Sequence, residues 1–364
     1  MQNIYIIIYN KNNLKETDHH IDPFFCLFRD LERRKWMEKI KWGILSSAKI
    51  GETQVIPAIK RSSRGEVIAI ASQSKKAVDL SKKLGIPKTY DSYEELLADP
   101  EINAVYIPLP NHLHAKWTIE AAKAGKHILV EKPAALTEAE TRQMMDACEQ
   151  YGVKCMEAFM YQFHAQHKRV KDIIQTGEIG DIKYMYASHS FLLKDEGNIR
   201  LTPEKGGVAL YDVGCYNIHA IRHLLDAEPV EVMGFADMDN PYGVDLTTTV
   251  HLRMDNGVRA MFDCSFEMVG RNEYHIVGTH GEIICRHAYR PDLVGHHGAL
   301  LVKSGGETRK EMITCDQYMM QVDHFAECIL NDQQPVYTAE DTIQNMKVID
   351  ACYTSIREGQ LIKI

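Results

Sequence analysis

Short apolar runs alternate with amphipathic stretches of helical length from residue 40 to about residue 157. The apolar runs predict strands at 40–45, 67–71, 104–107, 127–130 and 154–157. The stretches between them predict helices that end near residues 60, 84, 98, 124 and 151. Strands that alternate with helices in this way form parallel sheets with helices on both faces, so the pattern predicts an α/β fold with a doubly wound sheet.

After about residue 158 the apolar and polar residues alternate with a period of two. The alternating runs lie at 182–191, 230–236, 247–253, 259–266 and 274–285. Helical patterns are inserted at 170–175, 215–225, 317–330 and 342–358. This predicts a second, α+β domain with a large, mostly antiparallel open sheet. The helices suffice for one face of that sheet only, so we expect a second copy of the chain to cover the other face in a homodimer or higher oligomer.

Composition narrows the class of protein. A chain of 364 residues with 45% hydrophobic and 25% charged residues is typical of a globular protein with two domains. The net charge of −8, with no Lys/Arg-rich block, argues against nucleic acid as a partner. No apolar run approaches the length of a membrane span. The nine cysteines are scattered without a CxxC pair, which favours free thiols in a reducing cytoplasm over disulfides or a metal site.

Residues 1–36 precede the patterned part of the chain. Their apolar run at 4–9 has no basic residue before it and no small-residue cleavage site after it, so a signal peptide is not expected. We expect residues 1–36 to be a non-functional extension or loose tail, and a chain starting at Met37 to fold. The predicted domains are then residues 37–157 and 158–364.

Lys132 follows the predicted strand at 127–130 within the sequence Glu131-Lys132-Pro133. Pro133 restricts Lys132 to extended geometry, which keeps the lysine in line with the strand. In open α/β sheets ligands bind beyond the carboxyl ends of the strands, so Lys132 is a candidate site residue. A surface lysine at an ordinary strand end explains the tripeptide about equally well.

The turn after the first strand has the position, but not the full composition, of a dinucleotide-binding turn. Ser46, Ala48 and Gly51 stand where such a turn has three glycines, and a plain strand–turn–helix explains them nearly as well. The second predicted strand ends at Ser72 instead of an acidic residue, and Lys75 and Lys76 follow it. Since two lysines in a first helical turn oppose the helix dipole, a bound phosphate would remove the conflict.

The stretch 206–225 predicts a helix with a polar stripe. At 100° per residue, Asp212, Tyr216, His219 and His223 fall on one side and the aliphatic residues on the other. A carboxylate, a phenol and an imidazole one turn apart could transfer protons. The alternative is the solvated face of an amphipathic helix.

Several ordered motifs together resemble one family. They are the turn at 46–51, YIPLPNHLH at 106–114, AGKHILVEKP at 124–133, MEAFMYQFH at 156–164 and GGVALYDVGCYNIH at 206–219. In this order they resemble the glucose–fructose oxidoreductase/inositol dehydrogenase (Gfo/Idh/MocA) family of nicotinamide-dependent oxidoreductases. Some members of the family have a histidine at the position of Tyr216. The tyrosine makes this chain similar to the sugar- and dihydrodiol-oxidising branch. The resemblance implies an N-terminal Rossmann domain and a C-terminal substrate-binding and dimerisation domain.

The resemblance also implies the site residues. Lys132, Asp212 and Tyr216 are the expected catalytic residues. The expected cofactor-binding residues are Ser46, Ser47, Ala48, Lys49, Ile50, Ser72, Lys75, Lys76, Pro108, Leu109, Pro110, Asn111, His114, Glu131 and Lys132. The expected substrate-binding residues are Lys132, Tyr161, Phe163, His164, Arg200, Asp212, Tyr216 and His219.

These observations favour a cytoplasmic NADP-dependent oxidoreductase, with NAD possible, that acts on a hydroxyl or carbonyl of a sugar, polyol or diol. Tyr216 would move the hydroxyl proton, and Lys132 would orient the substrate and favour the phenolate. Two alternatives stay open: a glycosidase that uses nicotinamide transiently, and a dinucleotide-binding regulator without turnover. No metal, nucleic acid or membrane partner is expected.

Overall fold

The computed structural model describes residues 38–72 and 76–364, and residues 39–364 form one compact unit. The expected extension at residues 1–36 lies outside the described residues. The expected domain boundary between residues 157 and 158 stays a prediction.

Six parallel strands form the first sheet, in the order β3-β2-β1-β4-β5-β6. Their bounds are Ile40–Leu45 (β1), Gly65–Ala71 (β2), Lys88–Tyr90 (β3), Ala104–Ile107 (β4), His127–Val130 (β5) and Cys155–Glu157 (β6). The predicted doubly wound sheet is confirmed, whereas the short edge strand β3 was not predicted. The strand order reverses between β1 and β4, and ligands bind beyond the strand ends at such a point.

Helices cover this sheet. A π-helical turn at Gly51–Val55 leads into α1 (Ile56–Arg61), and α2 to α5 span Lys76–Leu84, Tyr93–Ala98, His114–Lys123 and Glu138–Gln150. Short 3₁₀ turns lie at Asn111–Leu113 and Met160–Phe163. Ser92 and Thr137 begin α3 and α5, where each side chain accepts a backbone N–H of the first turn.

Nine strands form the second sheet, in the order β14-β13-β12-β11-β7-β10-β9-β8-β15. Their bounds are Ile182–Ser190 (β7), Pro229–Ala236 (β8), Thr247–Met254 (β9), Arg259–Ser265 (β10), Arg271–Gly278 (β11), Gly281–Arg286 (β12), His297–Ser304 (β13), Glu307–Thr314 (β14) and Ile362–Lys363 (β15). Only β7 and β10 pair in parallel among these neighbours, so the mostly antiparallel sheet is confirmed. The run predicted at 274–285 is two strands, and β13 to β15 were not predicted.

The remaining helices are α6 (Ala165–Gln175), α7 (Cys215–Leu225), α8 (Gln317–Leu330) and α9 (Ala339–Glu358). Strands of the second sheet contact α6, α7 and α9, whereas α8 packs against α1 and β2 of the first part of the chain. Shorter 3₁₀ turns lie at Ile199–Leu201, Pro203–Lys205 and Pro291–Val294, and a π-helical turn at Leu210–Gly214 leads into α7. Among the described residues, no helix combines the length and the apolar character that a membrane crossing requires.

Candidate active site

Lys132 is presented by a rigid support at the end of β5. The residues of β5 from Ile128 to Val130 are fully buried. Behind the following turn, the Tyr106 hydroxyl donates to the Glu131 carboxylate at 2.5 Å. The buried ring of His114 lies between the carbonyl oxygens of Leu109 and Pro133, at 2.7 and 2.8 Å. The side chain of Lys132 therefore leaves the sheet in a fixed direction.

Asp212 joins Lys132 to the second part of the chain. The Lys132 ammonium donates to the backbone oxygen of Asp212 at 2.7 Å and to its carboxylate at 3.0 Å, and Arg200 Nε donates to the same carboxylate at 2.6 Å. Burial acts to raise the pKa of Asp212, but Arg200 and Lys132 outweigh it and hold that pKa well below its usual range. Burial acts to lower the pKa of Lys132, but the charge of Asp212, together with nearby groups that include Glu131, more than offsets this and raises that pKa. Both groups are therefore ionised at neutral pH.

Tyr216 lies beside this ion pair in an orientation that the sequence did not predict. The Lys132 ammonium faces the ring of Tyr216, 4.9 Å from its centre, while the Tyr216 hydroxyl donates to Met160 Sδ at 3.5 Å. Burial raises the pKa of Tyr216 well above its usual value. The expectation that Lys132 favours a phenolate is therefore not met in this structure, where Tyr216 is a neutral phenol.

A cavity of about 660 Å³ opens in front of these groups. This volume lies within the range of about 300–1,000 Å³ that is typical of small-molecule sites. Its wall includes four of the predicted site residues: Lys132, Arg200, Asp212 and Tyr216. It also includes residues that sequence reasoning missed, among them His189, Arg271, Arg286 and Arg290. The period-two pattern placed His189 in a strand but gave no sign of its direction.

Four predicted substrate-binding residues do not line this cavity. Tyr161 and His219 lie in the core behind Tyr216, where the Tyr161 hydroxyl pairs with His219 Nδ1. His164 is fully buried, and its two ring nitrogens pair with the backbone of Gln166 and His296. Phe163 packs against the ring of His324 at 5.1 Å. The Tyr161 hydroxyl, both ring nitrogens of His164 and His219 Nδ1 are engaged within the fold, whereas the buried Nε2 of His219 has no hydrogen-bond partner among the described residues.

The polar stripe of α7 is not a solvated face, because every residue of this helix except His223 is buried. The wet-face alternative is therefore wrong.

The predicted cofactor-binding residues gather at the carboxyl ends of β1, β2 and β4. Ser46 has a φ of 122°, in the region that favours glycine. Its hydroxyl accepts the N–H of Ala48 at 3.0 Å and donates to the carbonyl of Pro108 at 3.1 Å. This joins the turn to the loop after β4, where Leu109 is buried and the Asn111 amide donates to the carbonyl of Gly206 at 2.9 Å.

The end of β2 lies next to the same turn. The hydroxyls of Ser47 and Ser72 are 3.4 Å apart, Lys49 and Ile50 open the helix that follows, and Lys76 is exposed at the start of α2. Lys75 lies outside the described residues. With hydroxyls, a helix start and no carboxylate at the end of β2, these residues fit the phosphates of a dinucleotide.

Comparison with known proteins agrees with this geometry. Residues 40–159 match the oxidoreductase family with an NAD-binding Rossmann fold, and residues 167–284 match the GFO/IDH/MocA C-terminal domain. The NADP-dependent D-xylose 1-dehydrogenase 2 of Haloferax volcanii is 35% identical over 89% of this chain and 99% of its own length. An uncharacterized oxidoreductase of Rhizobium meliloti is 36% identical over 89% and 98%.

Solved structures show the same fold. The aldose–aldose oxidoreductase of Caulobacter crescentus superimposes with a TM-score of 0.84 at 26% identity, over 90% of this chain and 100% of that one. A 3-ketoreductase of Actinomadura kijaniata with bound NADP gives a TM-score of 0.82 at 28% identity, over 88% and 98%. The chain therefore belongs to the Gfo/Idh/MocA family of NAD(P)-dependent oxidoreductases.

Proposed function

We propose that this protein interconverts a hydroxyl and a carbonyl on a sugar, polyol or diol, and that Lys132, Asp212 and Tyr216 are its catalytic residues. The observation that carries the proposal is the meeting of these three side chains on the wall of one cavity. Lys132 follows β5, Asp212 lies in the π-helical turn before α7, and Tyr216 lies in the first turn of α7. The relatives named for xylose, aldose and ketosugar chemistry support the substrate class. When bound, the nicotinamide supplies or accepts the hydride.

The side chains of the protein hold the oxygen of the substrate and transfer its proton. Asp212 keeps Lys132 charged and directs its ammonium toward the cavity, where it can donate to the oxygen of the substrate. Tyr216 is the proton carrier: as a neutral phenol it can protonate a carbonyl oxygen in the direction of reduction once its O–H rotates from Met160 Sδ to the substrate. In the direction of oxidation it must first lose its proton, which becomes easier as the pH rises.

NADP is the proposed cofactor in preference to NAD. Ser72 follows β2 in place of the carboxylate that would repel a 2′-phosphate, and Lys76 is exposed at the start of α2. One charge-assisted contact to that phosphate is worth about 1.5–3 kcal/mol, or roughly one to two decades in affinity. Lys76→Ala should weaken NADPH binding by about that factor and leave NADH binding unchanged. Equal loss for both cofactors would overturn the assignment.

A homodimer through the second sheet is also proposed. Cross-strand pairing places Phe235 on β8 and Met312 on β14 on the same face, and they are 54% and 55% exposed. Between them on this face, cross-strand pairing aligns the partly exposed side chains of Met261, Tyr186, His275, Ile284 and Leu301. A contiguous, largely apolar row of this kind is typical of a covered interface. A monomeric sedimentation profile at micromolar concentration would contradict it.

The eight cysteines within the described residues are free, which supports a reducing compartment such as the cytoplasm.

One assay tests the main proposal. Reduced nicotinamide is followed by absorbance while the protein is offered aldoses, polyols and diols, and each reaction is analysed for product. Net, substrate-dependent change in reduced cofactor is expected. Hydrolysis of a glycoside without net change would indicate the glycosidase, and cofactor binding without any turnover would indicate the regulator.

A further inference from the structure

Three cationic side chains converge around Tyr216 on the cavity wall, although the chain as a whole carries a net charge of −8. Lys132 and Arg200 share the single carboxylate of Asp212. Arg290 pairs with Asp292, whose side chain is only 4% exposed and does not line the cavity. The wall as a whole has five cationic side chains (Lys132, Arg200, Arg271, Arg286 and Arg290) and two carboxylates (Asp212 and Glu273), so cations are in excess along the lining of the cavity.

Arg290 lines the cavity, and its side chain is 28% exposed. Its Nε and Nη2 donate to the Asp292 carboxylate at 3.0 and 2.9 Å, which fixes the plane of the group. Its Nη1 donates to no described residue. A guanidinium held by two of its donors can present the remaining ones to a planar or tetrahedral anion in a fixed geometry. Arg290 also lies near enough to His189 to act against its protonation.

His189 is the second unusual group on this wall. It is 7% exposed, and neither ring nitrogen has a hydrogen-bond partner among the described residues, with Nδ1 fully buried. Its ring stacks on Tyr289 at 4.9 Å, and the Tyr289 hydroxyl is fixed by Asn217 at 2.8 Å. A buried, rigidly held polar group without a partner is costly unless something else supplies the hydrogen bond. Since Nδ1 is fully buried, Nε2 is the ring nitrogen that a ligand in the cavity can reach.

We propose that Arg290 and His189 form a subsite for an anionic group of the substrate, a carboxylate or a phosphate, so that the substrate class is a sugar acid or a sugar phosphate. The inference rests on the proposed oxidoreductase function and adds the chemistry of the substrate to it. The Arg290 guanidinium binds the anion and His189 donates a hydrogen bond to it or to a neighbouring hydroxyl. Lys132 and Tyr216 stay free for the reacting carbonyl.

The test compares a neutral aldose with its phosphate ester and its uronic acid. For the unmodified protein, kcat/KM for one of the two anionic forms should exceed that for the neutral sugar by tenfold or more. Arg290→Gln should reduce this ratio by about 10- to 100-fold, the range of one charge-assisted contact, mainly through KM. His189→Asn should reduce it by a smaller factor. Arg142→Gln, which removes an exposed arginine of α5, is the matched control and should leave the ratio unchanged.

The outcomes separate this inference from the proposed function. A protein that oxidises or reduces neutral sugars best, with a ratio unaffected by both variants, overturns the anionic subsite and leaves the oxidoreductase in place. Absence of hydride transfer with every sugar overturns the proposed function. In that case calorimetric binding of the sugar phosphate and the sugar acid to the unmodified and Arg290→Gln proteins decides the subsite, and equal affinities refute it. If Arg290→Gln does not fold, Arg290→Lys replaces it in the test, because lysine keeps the positive charge but lacks the planar set of donors of the guanidinium.

Discussion

Asp212→Asn removes one negative charge from between two cations and keeps the shape of the side chain. In the native chain the carboxylate accepts hydrogen bonds from Lys132 Nζ and Arg200 Nε, and its own side chain is 15% exposed. The amide can accept only one of these bonds well, because its nitrogen is a donor. Lys132, 13% exposed, would then lose the charge that offsets its burial.

The expected cost follows from the exposure of each partner. Removing one member of a buried ion pair destabilises a protein by about 3–5 kcal/mol, because a charge is left buried without its counter-charge. The Arg200 side chain is 40% exposed, so water screens its share of the loss. We therefore expect a loss of about 3 kcal/mol at pH 7, at the lower end of that range. Turnover should fall as well, since the direction and charge of Lys132 depend on Asp212.

The unmodified protein and Asp212→Asn are unfolded in urea at pH values from 7 to 3. This checks the size of the stability loss and shows whether the loss comes from the charge of Asp212. Asp212 has a depressed pKa in the fold, so its stabilisation is complete above the unfolded pKa of about 3.9 and declines as the pH falls below it. The difference between the two proteins should therefore shrink toward pH 3. Asp146→Asn, a control at an exposed position of α5, should leave the free energy of unfolding unchanged. Equal stability at pH 7, or a difference that does not depend on pH, would refute the reasoning.

The strands that could be predicted are those whose own residues are mostly apolar and therefore indicate burial. β1, β4 and β5 are apolar runs because helices cover both faces of the parallel sheet. β14 reads Glu307-Thr-Arg-Lys-Glu-Met-Ile-Thr314, a charged edge strand that owes its conformation to pairing with β13. β3 is likewise a short edge strand. Such segments acquire structure from a neighbour, and a pattern along the chain cannot show that neighbour.

The same limit applies to the site. Lys132, Asp212 and Tyr216 could be proposed as site residues from motifs, but their mutual geometry could not be predicted. A spacing of 100° per residue assumes an α-helix, whereas Asp212 lies in a π-helical turn at Leu210–Gly214 that ends just before Tyr216. This changes the angle between the two side chains. Arg290 comes from a segment between β12 and β13, far along the chain, and only tertiary packing brings it to Tyr216.

Three further changes test the site. Tyr216→Phe should lower kcat by about 10²–10⁴, and the rise of the oxidation rate with pH that we expect for the unmodified protein should vanish; near-normal turnover would place the proton carrier elsewhere. Burial lowers the pKa of His114 to about 4, so this group costs stability as the pH falls from 6.5 to 4, and His114→Gln should remove up to about 3 kcal/mol of that acid-induced loss. If the free energy of unfolding of His114→Gln, measured in urea, declines with pH as steeply as that of the unmodified protein, the prediction is wrong. Ser46 combines a φ of 122° with two hydroxyl hydrogen bonds, to Ala48 and Pro108. Ser46→Ala loses both bonds and keeps the unfavourable backbone, whereas Ser46→Gly loses the bonds but relieves a strain of about 1–3 kcal/mol. Because the two variants lack the same hydroxyl, their difference isolates the backbone term, and Ser46→Gly should unfold at a higher urea concentration; identical midpoints would show that the turn is unstrained.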